Sequence, residues 1–337
     1  MNRFSYVRAE DVQSAVRARA QDPSACFIAG GTNLLDLMKY HVEAPTRLID
    51  ITHLPLKAIE EVDGGLRIGA LVPNTDVAYD ARVEQRYPLL ASAILAGATA
   101  QLRNMASTGG NLLQRTRCLY FYDTATPCNK RQPGTGCAAL NGLNRQHAIL
   151  GTSDHCIATH PSDMAVALAA LDATVRVAGS AGERRIAFED FHRLPGNEPE
   201  RDTNMRPDEL ILSVDLPTEG FAGNYTYLKL RDRLSYAFAL VSVAAALRLE
   251  GDRIVEARLA MGGVAHKPWR DREVEQRLAG QPATKESFRQ AALQFLQGAQ
   301  GKGFNDFKIE LARRAIVRAL GQAAAGTPQS QTDKRIQ

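Results

Sequence analysis

Long apolar segments are absent from this 337-residue sequence, and none approaches the ~20 residues that a membrane-spanning helix needs. Residues 1–12 (MNRFSYVRAEDV) contain no apolar stretch of the kind found in a signal peptide. A large excess of one charge is absent too: Lys and Arg number 41 against 37 Asp and Glu, and the net charge of +4 is spread along the chain. These absences predict a protein that is not inserted into a membrane, does not bind nucleic acid and by itself stays in the cytoplasm.

Recognisable catalytic arrangements are also absent. No Ser-His-Asp or Cys-His pattern stands out, and the seven histidines form no H-E-x-x-H metal motif. We therefore predict no catalytic residue on this chain. Hydrophobic residues make up 45% and charged residues 23% of the sequence, which is typical of a globular protein, and the length predicts two or three domains or subdomains.

Four of the five cysteines lie in one segment, with the spacing C-x9-C-x8-C-x18-C. They are Cys118, Cys128, Cys137 and Cys156. The residues between them are rich in Gly, Pro and Asn, which form turns rather than helices or strands. A loop of this length in a compact domain is usually functional or disordered. We therefore expect the four thiols to be linked, either by disulfides or through a bound metal.

Several kinds of link between these thiols are possible. Disulfides need an oxidising compartment, and a chain of this length can stabilise its own core without them. Zinc sites usually contain close C-x2-4-C pairs, which this segment lacks. Iron–sulfur clusters also use four thiolates. Spacing alone leaves zinc and iron–sulfur equally favoured, and unlinked structural cysteines remain the simplest alternative.

Two glycine-rich turns stand out elsewhere in the chain. The first, residues 30–33 (GGTN), follows a predicted buried strand at 25–29 and precedes a predicted helix at 34–39. A strand–glycine–helix arrangement points free backbone N–H groups at an anion, although the pattern is neither a Rossmann nor a P-loop signature. Residues 109–113 (GGNLL), preceded by Ser-Thr at 107–108, repeat it. We hypothesise that the two turns clasp a diphosphate between them.

The rest of the pattern predicts an α+β chain. Ser162 is a credible N-cap, with Asp163 in the first turn of the helix that follows. The polar segment 193–207 is the predicted connection between domains. Further strands are predicted at 47–52, 66–72, 174–178, 185–188, 210–216, 225–230, 239–249 and 254–261. Further helices are predicted at 11–20, 88–98, 164–171, 273–278, 285–296 and 308–320.

Together these stretches resemble the FAD-binding subunit of the molybdenum hydroxylases, the family of xanthine dehydrogenase and carbon monoxide dehydrogenase. The cysteine-rich loop is most similar to that of the bacterial periplasmic aldehyde oxidases, in which it holds a [4Fe–4S] cluster. The segments that carry the resemblance are FIAGGTNLLDLMK (27–39), LRIGALVPNTD (66–76), QLRNMASTGGNLLQRTRC (101–118), THPSDMAVALAALDA (159–173), ELILSVDLP (209–217) and YLKLRDRLSYAFALVSVAAALR (227–248).

The resemblance implies an α+β fold: a vanillyl-alcohol-oxidase (PCMH)-type FAD-binding domain of two lobes, then a C-terminal α+β domain like that of the CO dehydrogenase flavoprotein. The implied boundaries are 1–215 for the FAD-binding domain, with lobes at about 1–52 and 53–215 and the iron–sulfur loop at 115–160, then 216–322 for the C-terminal domain and 323–337 for a disordered tail.

The resemblance also implies roles for individual residues. The cluster would be ligated by Cys118, Cys128, Cys137 and Cys156. The first diphosphate loop would be Phe27, Ile28, Ala29, Gly30, Gly31, Thr32, Asn33 and Leu34, and the second Ser107, Thr108, Gly110 and Asn111. Ser162 and Asp163 would hold the ribose–phosphate end, with Ile211 and Lys229 nearer the ring system.

The function implied is electron transfer. A molybdopterin-binding large subunit would oxidise an aldehyde, a [2Fe–2S] small subunit would relay electrons, and FAD on this chain would pass them to an external acceptor. Such a heterotrimer would reach the periplasm by co-export with a signal-bearing partner, and would be cytoplasmic without one. The alternatives are a stand-alone flavin reductase on the same FAD fold and a non-enzymatic scaffold stabilised by zinc.

Overall fold

The computed structural model describes residues 1–331, and its first lobe is built on a three-stranded parallel sheet. The central strand β3 pairs in parallel with β1 on one side and β2 on the other. Asp11 and Ser14 form a capping box at the start of the first helix, which satisfies N–H groups that the helix itself leaves free. The elements are β1 (Ser5–Arg8), α1 (Val12–Gln21), β2 (Ala25–Ile28), α2 (Leu34–Lys39) and β3 (Arg47–Asp50).

The second lobe is built on a five-stranded antiparallel sheet of order β4-β5-β8-β6-β7. Its helices come mostly between β5 and β6, and the cysteine-rich loop connects α8 to α9. The elements are β4 (Ile59–Val62), β5 (Gly65–Gly69), α3 (Asn74–Tyr79), α4 (Ala81–Arg86), α5 (Pro88–Ala96), α6 (Ala100–Met105), α7 (Thr108–Leu112), α8 (Leu119–Tyr122), α9 (Asp163–Ala170), β6 (Thr174–Gly179), β7 (Gly182–Ala187), α10 (Phe188–Phe191) and β8 (Leu210–Leu216).

The C-terminal domain is a four-stranded antiparallel sheet of order β12-β11-β10-β9 with three helices. Strand β10 is buried on both faces, because Val243 and Ala245 pack into the core shared with the helices whereas Ala244 and Ala246 pack into the core of the second lobe. The elements are β9 (Tyr225–Leu230), β10 (Val241–Glu250), β11 (Arg253–Gly262), β12 (Trp269–Arg270), α11 (Arg272–Leu278), α12 (Lys285–Phe295) and α13 (Phe307–Ala324).

Helices α5 and α9 join the second lobe to the C-terminal domain. Their sequences, PLLASAILA and DMAVALAA, are apolar on nearly every side, and every residue of α9 is buried. A helix that is hydrophobic all round has to be enclosed in a core. The two helices pack against each other and against the C-terminal sheet, so the start of α9 lies deep inside the molecule.

The long predicted strands and helices are present in the structure, within a few residues of their predicted ends. Sequence reasoning missed nine short elements: β1, β4, β12, α3, α4, α6, α7, α8 and α10. None of the described helices within residues 1–331 combines the length and apolar composition needed to cross a bilayer.

The prediction of a disordered tail from residue 323 is wrong for its first part. Helix α13 continues to Ala324 with Ala323 buried. Beyond it, the Gln329 N–H donates to Thr226 Oγ1 at 3.0 Å and Gln331 Nε2 donates to the Tyr227 carbonyl at 3.0 Å. Hydrogen bonds to strand β9 therefore hold this stretch, whereas residues 332–337 of the predicted tail lie outside the described residues.

Candidate functional site

The two glycine turns touch each other. A Cβ atom on Gly30 would lie 1.8 Å from the backbone oxygen of Met105 and 3.4 Å from the N of Ala106, directly before the second turn. No side chain fits in that space, so only glycine permits this approach. Gly31 has a φ of +71°, a conformation that L side chains rarely adopt. The two turns therefore meet, as a diphosphate held between them would require.

A cavity of about 370 Å³ opens between the two turns. All eight residues predicted for the first diphosphate loop, from Phe27 to Leu34, line it. Ser107 and Gly110 of the second turn and Ile211 of β8 close it from the other side. The cavity therefore lies where the first lobe meets the second.

Thr108 differs from its predicted neighbours. It does not line this cavity, it is 1% exposed, and its hydroxyl donates to the Val72 carbonyl at 2.9 Å. Its side chain therefore fastens α7 to the end of β5, whereas Ser107 caps α7 by accepting from the Gly110 N–H at 3.2 Å.

A second cavity, of about 620 Å³, continues from the first. Thr32, Asn33 and Gly110 line both, so the two cavities join at the glycine turns. The second cavity is also lined by predicted residues Asn111, Ser162, Asp163 and Lys229. The result is one long groove that is crossed at its middle by the two turns.

Asn111 and Ser162 are linked by hydrogen bonds along the wall of this groove. Ser162 Oγ donates to Asn111 Oδ1 at 2.5 Å and accepts from the Ala165 N–H at 2.9 Å, which caps α9. Asn111 Nδ2 donates to Asn74 Oδ1 at 2.7 Å. Sequence reasoning assigned no role to Asn74, although it lies in one of the segments that carry the resemblance. The network fixes the start of α9 against α7 and α3.

Asp163 and Lys229 form a buried ion pair at the far end of the groove. Lys229 Nζ lies 2.7 Å from Asp163 Oδ2 and also donates to the Ala96 carbonyl at 3.1 Å. The Tyr227 hydroxyl donates to Asp163 Oδ1 at 2.7 Å. Burial, and after it the Asp163 charge, raises the pKa of Tyr227 well above its usual value. Both charges are thus already paired, and the pair sets the polarity of this end of the groove.

Ile211 and Lys229, both expected nearer the ring system, line different parts of the groove. Ile211 lines the 370 Å³ cavity on one side of the glycine turns, and Lys229 lines the 620 Å³ cavity on the other. A bound molecule reaching both residues has to pass between the turns.

The groove suits an elongated ligand with a polar centre and two flat ends. Asn33 lies at the crossing, and its Nδ2 is buried without a hydrogen-bond partner among the described residues. A buried donor without a partner costs free energy unless a ligand supplies an acceptor. FAD has this shape and polarity, with a diphosphate between adenosine and isoalloxazine, so the residues present fit it.

The four clustered cysteines also come together. Cys118, Cys128, Cys137 and Cys156 line one small cavity, and none of them is in a disulfide. Cys128 and Cys137 face each other across an isolated antiparallel bridge. The fifth cysteine, Cys26, is separate, because it belongs to β2 and lines the 370 Å³ cavity.

Polar groups point at the sulfur atoms of this cluster. His147 Nε2 lies 3.0 Å from Cys118 Sγ, and the Ala158 N–H lies 3.4 Å from Cys156 Sγ. Burial raises the pKa of Cys118 to about 12 and that of Cys156 to about 11, whereas burial lowers the pKa of His147 to about 4. These thiols stay protonated at neutral pH unless a bound cation replaces the proton.

Within residues 1–331 no three His, Cys, Asp or Glu side chains are arranged to hold a single metal ion. Around one zinc ion, with Zn–S bonds of about 2.3 Å, four sulfurs would stand less than about 4 Å apart. A four-iron cluster holds its thiolates farther apart, since iron and inorganic sulfide lie between them. Four unlinked thiols that line one cavity are a donor set that both zinc and a four-iron cluster can use.

The thiol cavity and the groove adjoin. A third cavity, of about 250 Å³, is lined by Cys118 and His147 on one side and by Ser162 and Asp163 on the other. Cys118 therefore faces both the thiol cavity and the space that leads to the groove. The two sites are therefore next to each other.

Comparison with known proteins agrees with this geometry. The model of the FAD binding domain in molybdopterin dehydrogenase matches residues 2–219, and that of the CO dehydrogenase flavoprotein C-terminal domain matches residues 225–323. The chain belongs to the family of FAD-binding subunits of the molybdenum hydroxylases, and as such it is an oxidoreductase subunit. The family resemblance and the α+β fold inferred from the sequence are confirmed.

Individual relatives cover almost the whole chain. The FAD-binding subunit of an Escherichia coli aldehyde oxidoreductase is 51% identical over 96% of this chain and 99% of its own. The medium chain of a Sulfolobus acidocaldarius glyceraldehyde dehydrogenase is 29% identical over 82% of this chain and 81% of its own. Among solved structures, one that matches is the carbon monoxide dehydrogenase of Hydrogenophaga pseudoflava that lacks the Mo-pyranopterin moiety of its cofactor. One of its chains superimposes with a TM-score of 0.76 and is 26% identical in sequence. The match covers 96% of this chain and 98% of that one.

Proposed function

We propose that this chain is the FAD- and [4Fe–4S]-binding electron-transfer subunit of a molybdenum-dependent aldehyde oxidoreductase. The observation that carries the proposal is the adjacency of the two sites: Cys118 faces the thiol cavity and, through the 250 Å³ cavity, the groove. A flavin and a cluster in these sites are neighbours. The 51% identity to the FAD-binding subunit of an aldehyde oxidoreductase supports an aldehyde as the substrate of the assembled enzyme.

The groove would hold FAD, with the two glycine turns on either side of its diphosphate. The backbone of residues 30–33 and the side chain of Asn33 would hold the diphosphate, together with Ser107 and Gly110 of the second turn. Asn111 and Ser162 orient the chain beyond the diphosphate. When bound, FAD accepts electrons singly or in pairs while the cluster exchanges one, and the protein supplies position and electrostatic environment.

Cys118, Cys128, Cys137 and Cys156 ligate the [4Fe–4S] cluster. Four unlinked thiols around one cavity supply the donor set, and the resemblance of the cysteine-rich loop to that of the bacterial periplasmic aldehyde oxidases supports iron–sulfur over zinc. Between residues 122 and 147 of the loop, the buried apolar side chains are Cys128 and Ala139. The cluster would give order to this part of the loop, and this structural role is the one we favour over electron relay.

Catalysis on the substrate belongs to other subunits. No catalytic residue is assigned to this chain: a molybdopterin-binding large subunit oxidises the aldehyde and a [2Fe–2S] small subunit delivers the electrons to FAD. The assembly is a heterotrimer, and the chain reaches the periplasm if the [2Fe–2S] subunit carries an export signal. The names of the relatives, which include the medium chain of a glyceraldehyde dehydrogenase, support a multi-subunit enzyme.

The sequence is also compatible with two functions other than electron transfer within a molybdenum enzyme. A stand-alone flavin reductase on the same FAD fold requires its own substrate acid and base, and a zinc-stabilised scaffold requires no flavin. Membership of the molybdenum hydroxylase family favours neither alternative.

Spectroscopy and metal analysis of the purified chain test the proposal. We expect flavin bands with a broad iron–sulfur absorption, one FAD, and about four iron and four sulfide atoms per chain. Affinity purification from the native host should also recover a molybdenum subunit. Flavin without iron would indicate the reductase, and a colourless zinc protein would indicate the scaffold.

A further inference from the structure

The cysteine-rich loop and the second glycine turn are joined by three charged side chains that sequence reasoning missed. Lys130 lies between two of the cluster cysteines, and its side chain is 1% exposed. Arg115 follows the second glycine turn directly. Asp202 belongs to the polar segment 193–207, and its carboxylate contacts both cations. The prediction that this segment connects two domains is wrong, because it joins α10 to β8 within the second lobe.

The Asp202 carboxylate pairs with a different cation at each oxygen. Lys130 Nζ is paired with Asp202 Oδ1 and donates to the Pro199 carbonyl at 2.6 Å. Arg115 Nε lies 2.6 Å from Asp202 Oδ2 as an ion pair, but the two atoms are not in hydrogen-bond geometry. Although burial by itself raises the pKa of Asp202, Lys130 and after it Arg115 hold that pKa well below its usual range. The carboxylate is therefore ionised at neutral pH.

Arg115 also reaches the first glycine turn and the start of the cysteine loop. Its backbone N–H donates to Asn33 Oδ1 at 2.9 Å, which leaves the unpartnered Nδ2 of Asn33 in the groove. Its guanidinium pairs with Glu43 at 2.6 Å and lies 5.0 Å from the centre of the Phe121 ring. A shift of the Arg115 backbone would therefore move Asn33.

We propose that Asp202 is a positioning residue that couples the thiol site to the FAD site, so that filling one raises the affinity of the other. This inference rests on the proposed function. Iron bound by the cysteines fixes the loop between Cys128 and Cys137, and with it the ammonium group of Lys130. The Asp202 carboxylate then holds Arg115, and Arg115 holds Asn33 in the orientation that presents Nδ2 to the ligand.

An apolar contact acts in parallel with this ionic link. Leu37 of α2, just after the first glycine turn, packs with Phe121 and Cys128 in one small buried cluster. The removal of Asp202 is therefore expected to reduce the coupling rather than to abolish it.

Equilibrium dialysis of the full chain against FAD tests the proposal. The FAD dissociation constant is measured for iron-loaded protein and for protein stripped of iron by a chelator. In the wild type we expect stripping to weaken FAD binding about tenfold, and by linkage FAD should raise the affinity for the cluster by the same factor. In Asp202→Asn we expect the ratio of the two constants to fall to about threefold or less.

Matched variants separate coupling from general damage. Lys130→Met cuts the same link from the loop side and should lower the ratio equally. Asp215→Asn removes another carboxylate paired with an arginine, Arg67 at 2.8 Å, in the five-stranded sheet, and should keep the wild-type ratio. Because the ratio is taken within each variant, an overall loss of stability does not change it.

The outcomes distinguish this inference from the proposed function. A wild-type chain that binds FAD and iron with no linkage overturns the coupling alone, and so does an Asp202→Asn ratio equal to that of the wild type. A wild-type chain that binds neither FAD nor iron overturns the proposed function itself.

Discussion

Replacing Gly30 with alanine tests the contact on which the groove depends. The new Cβ would lie 1.8 Å from the Met105 oxygen, whereas ordinary contact begins near 3.4 Å, so the two turns must separate by about 1.6 Å. Backbone atoms lie on both sides, and no side-chain rotation relieves the clash. Overpacking of this kind costs about 1–3 kcal/mol. If the closed arrangement is the one that binds FAD, the FAD dissociation constant of Gly30→Ala should rise about five- to 150-fold.

Equilibrium dialysis with FAD measures this change, and thermal unfolding without FAD measures the cost to the fold. Gly223→Ala is the matched control, because a Cβ on Gly223 meets nothing within 4 Å and its φ is not in the left-handed region. A folded Gly30→Ala protein with the wild-type FAD dissociation constant would refute the reasoning that the two turns hold the ligand together.

Three further predictions concern side chains around the two sites. Cys128→Ser should lose iron yet retain much of the FAD, whereas Cys26→Ser should keep iron, as metal and flavin analysis will determine. His147→Phe removes a donor that lies 3.0 Å from Cys118 Sγ, and should lower the reduction potential of the cluster in an EPR-monitored titration, because an N–H group stabilises the more negative reduced state. Burial lowers the pKa of His192 from 6.5 to about 4, so the unfolded chain binds a proton at a higher pH than the folded chain does. The free energy of unfolding therefore falls by up to about 3 kcal/mol as the pH drops from 6.5 to 4. His192→Phe removes this group and should make the free energy of unfolding less dependent on pH in that range.

Each of these predictions has a contrary outcome. Unchanged iron in Cys128→Ser would remove the cluster assignment. An unchanged potential in His147→Phe would mean that the contact with Cys118 does not persist when the cluster is bound. The free energy of unfolding of His192→Phe is measured with urea between pH 4 and 7. If it depends on pH as that of the wild type does, groups other than His192 cause the loss of stability in acid.

Much of the fold follows from local patterns. Short runs rich in apolar residues mark β8 to β11, and the all-apolar sequences of α5 and α9 predict helices enclosed in a core. The short helices escape such reasoning, because four to six residues are too few to show a period. Helix α7, for example, contains two glycines and forms because Ser107 caps it and Thr108 ties it to β5.

Some residues of the candidate site can likewise be predicted from the sequence, and others cannot. The thiols and the glycine turns could be identified because their residue types are unusual and closely grouped. Asp202, Lys130 and Arg115 could not, because each is an ordinary charged residue and their partners lie far away in the sequence. Only the tertiary structure shows that Lys130 is buried and ion-paired, a state that it shares with Lys229.

The sequence by itself determined the secondary structure of the long elements, the two glycine turns and the grouping of four cysteines, since these depend on the chemistry of neighbouring residues. The tertiary structure alone decided that Gly30 lies against Met105, that Ile211 and Lys229 lie in different parts of the groove, and that Asp202 joins the cysteine loop to the second turn. These contacts join residues distant in sequence, and their energies depend on burial and charge pairing that arise only when the lobes pack together.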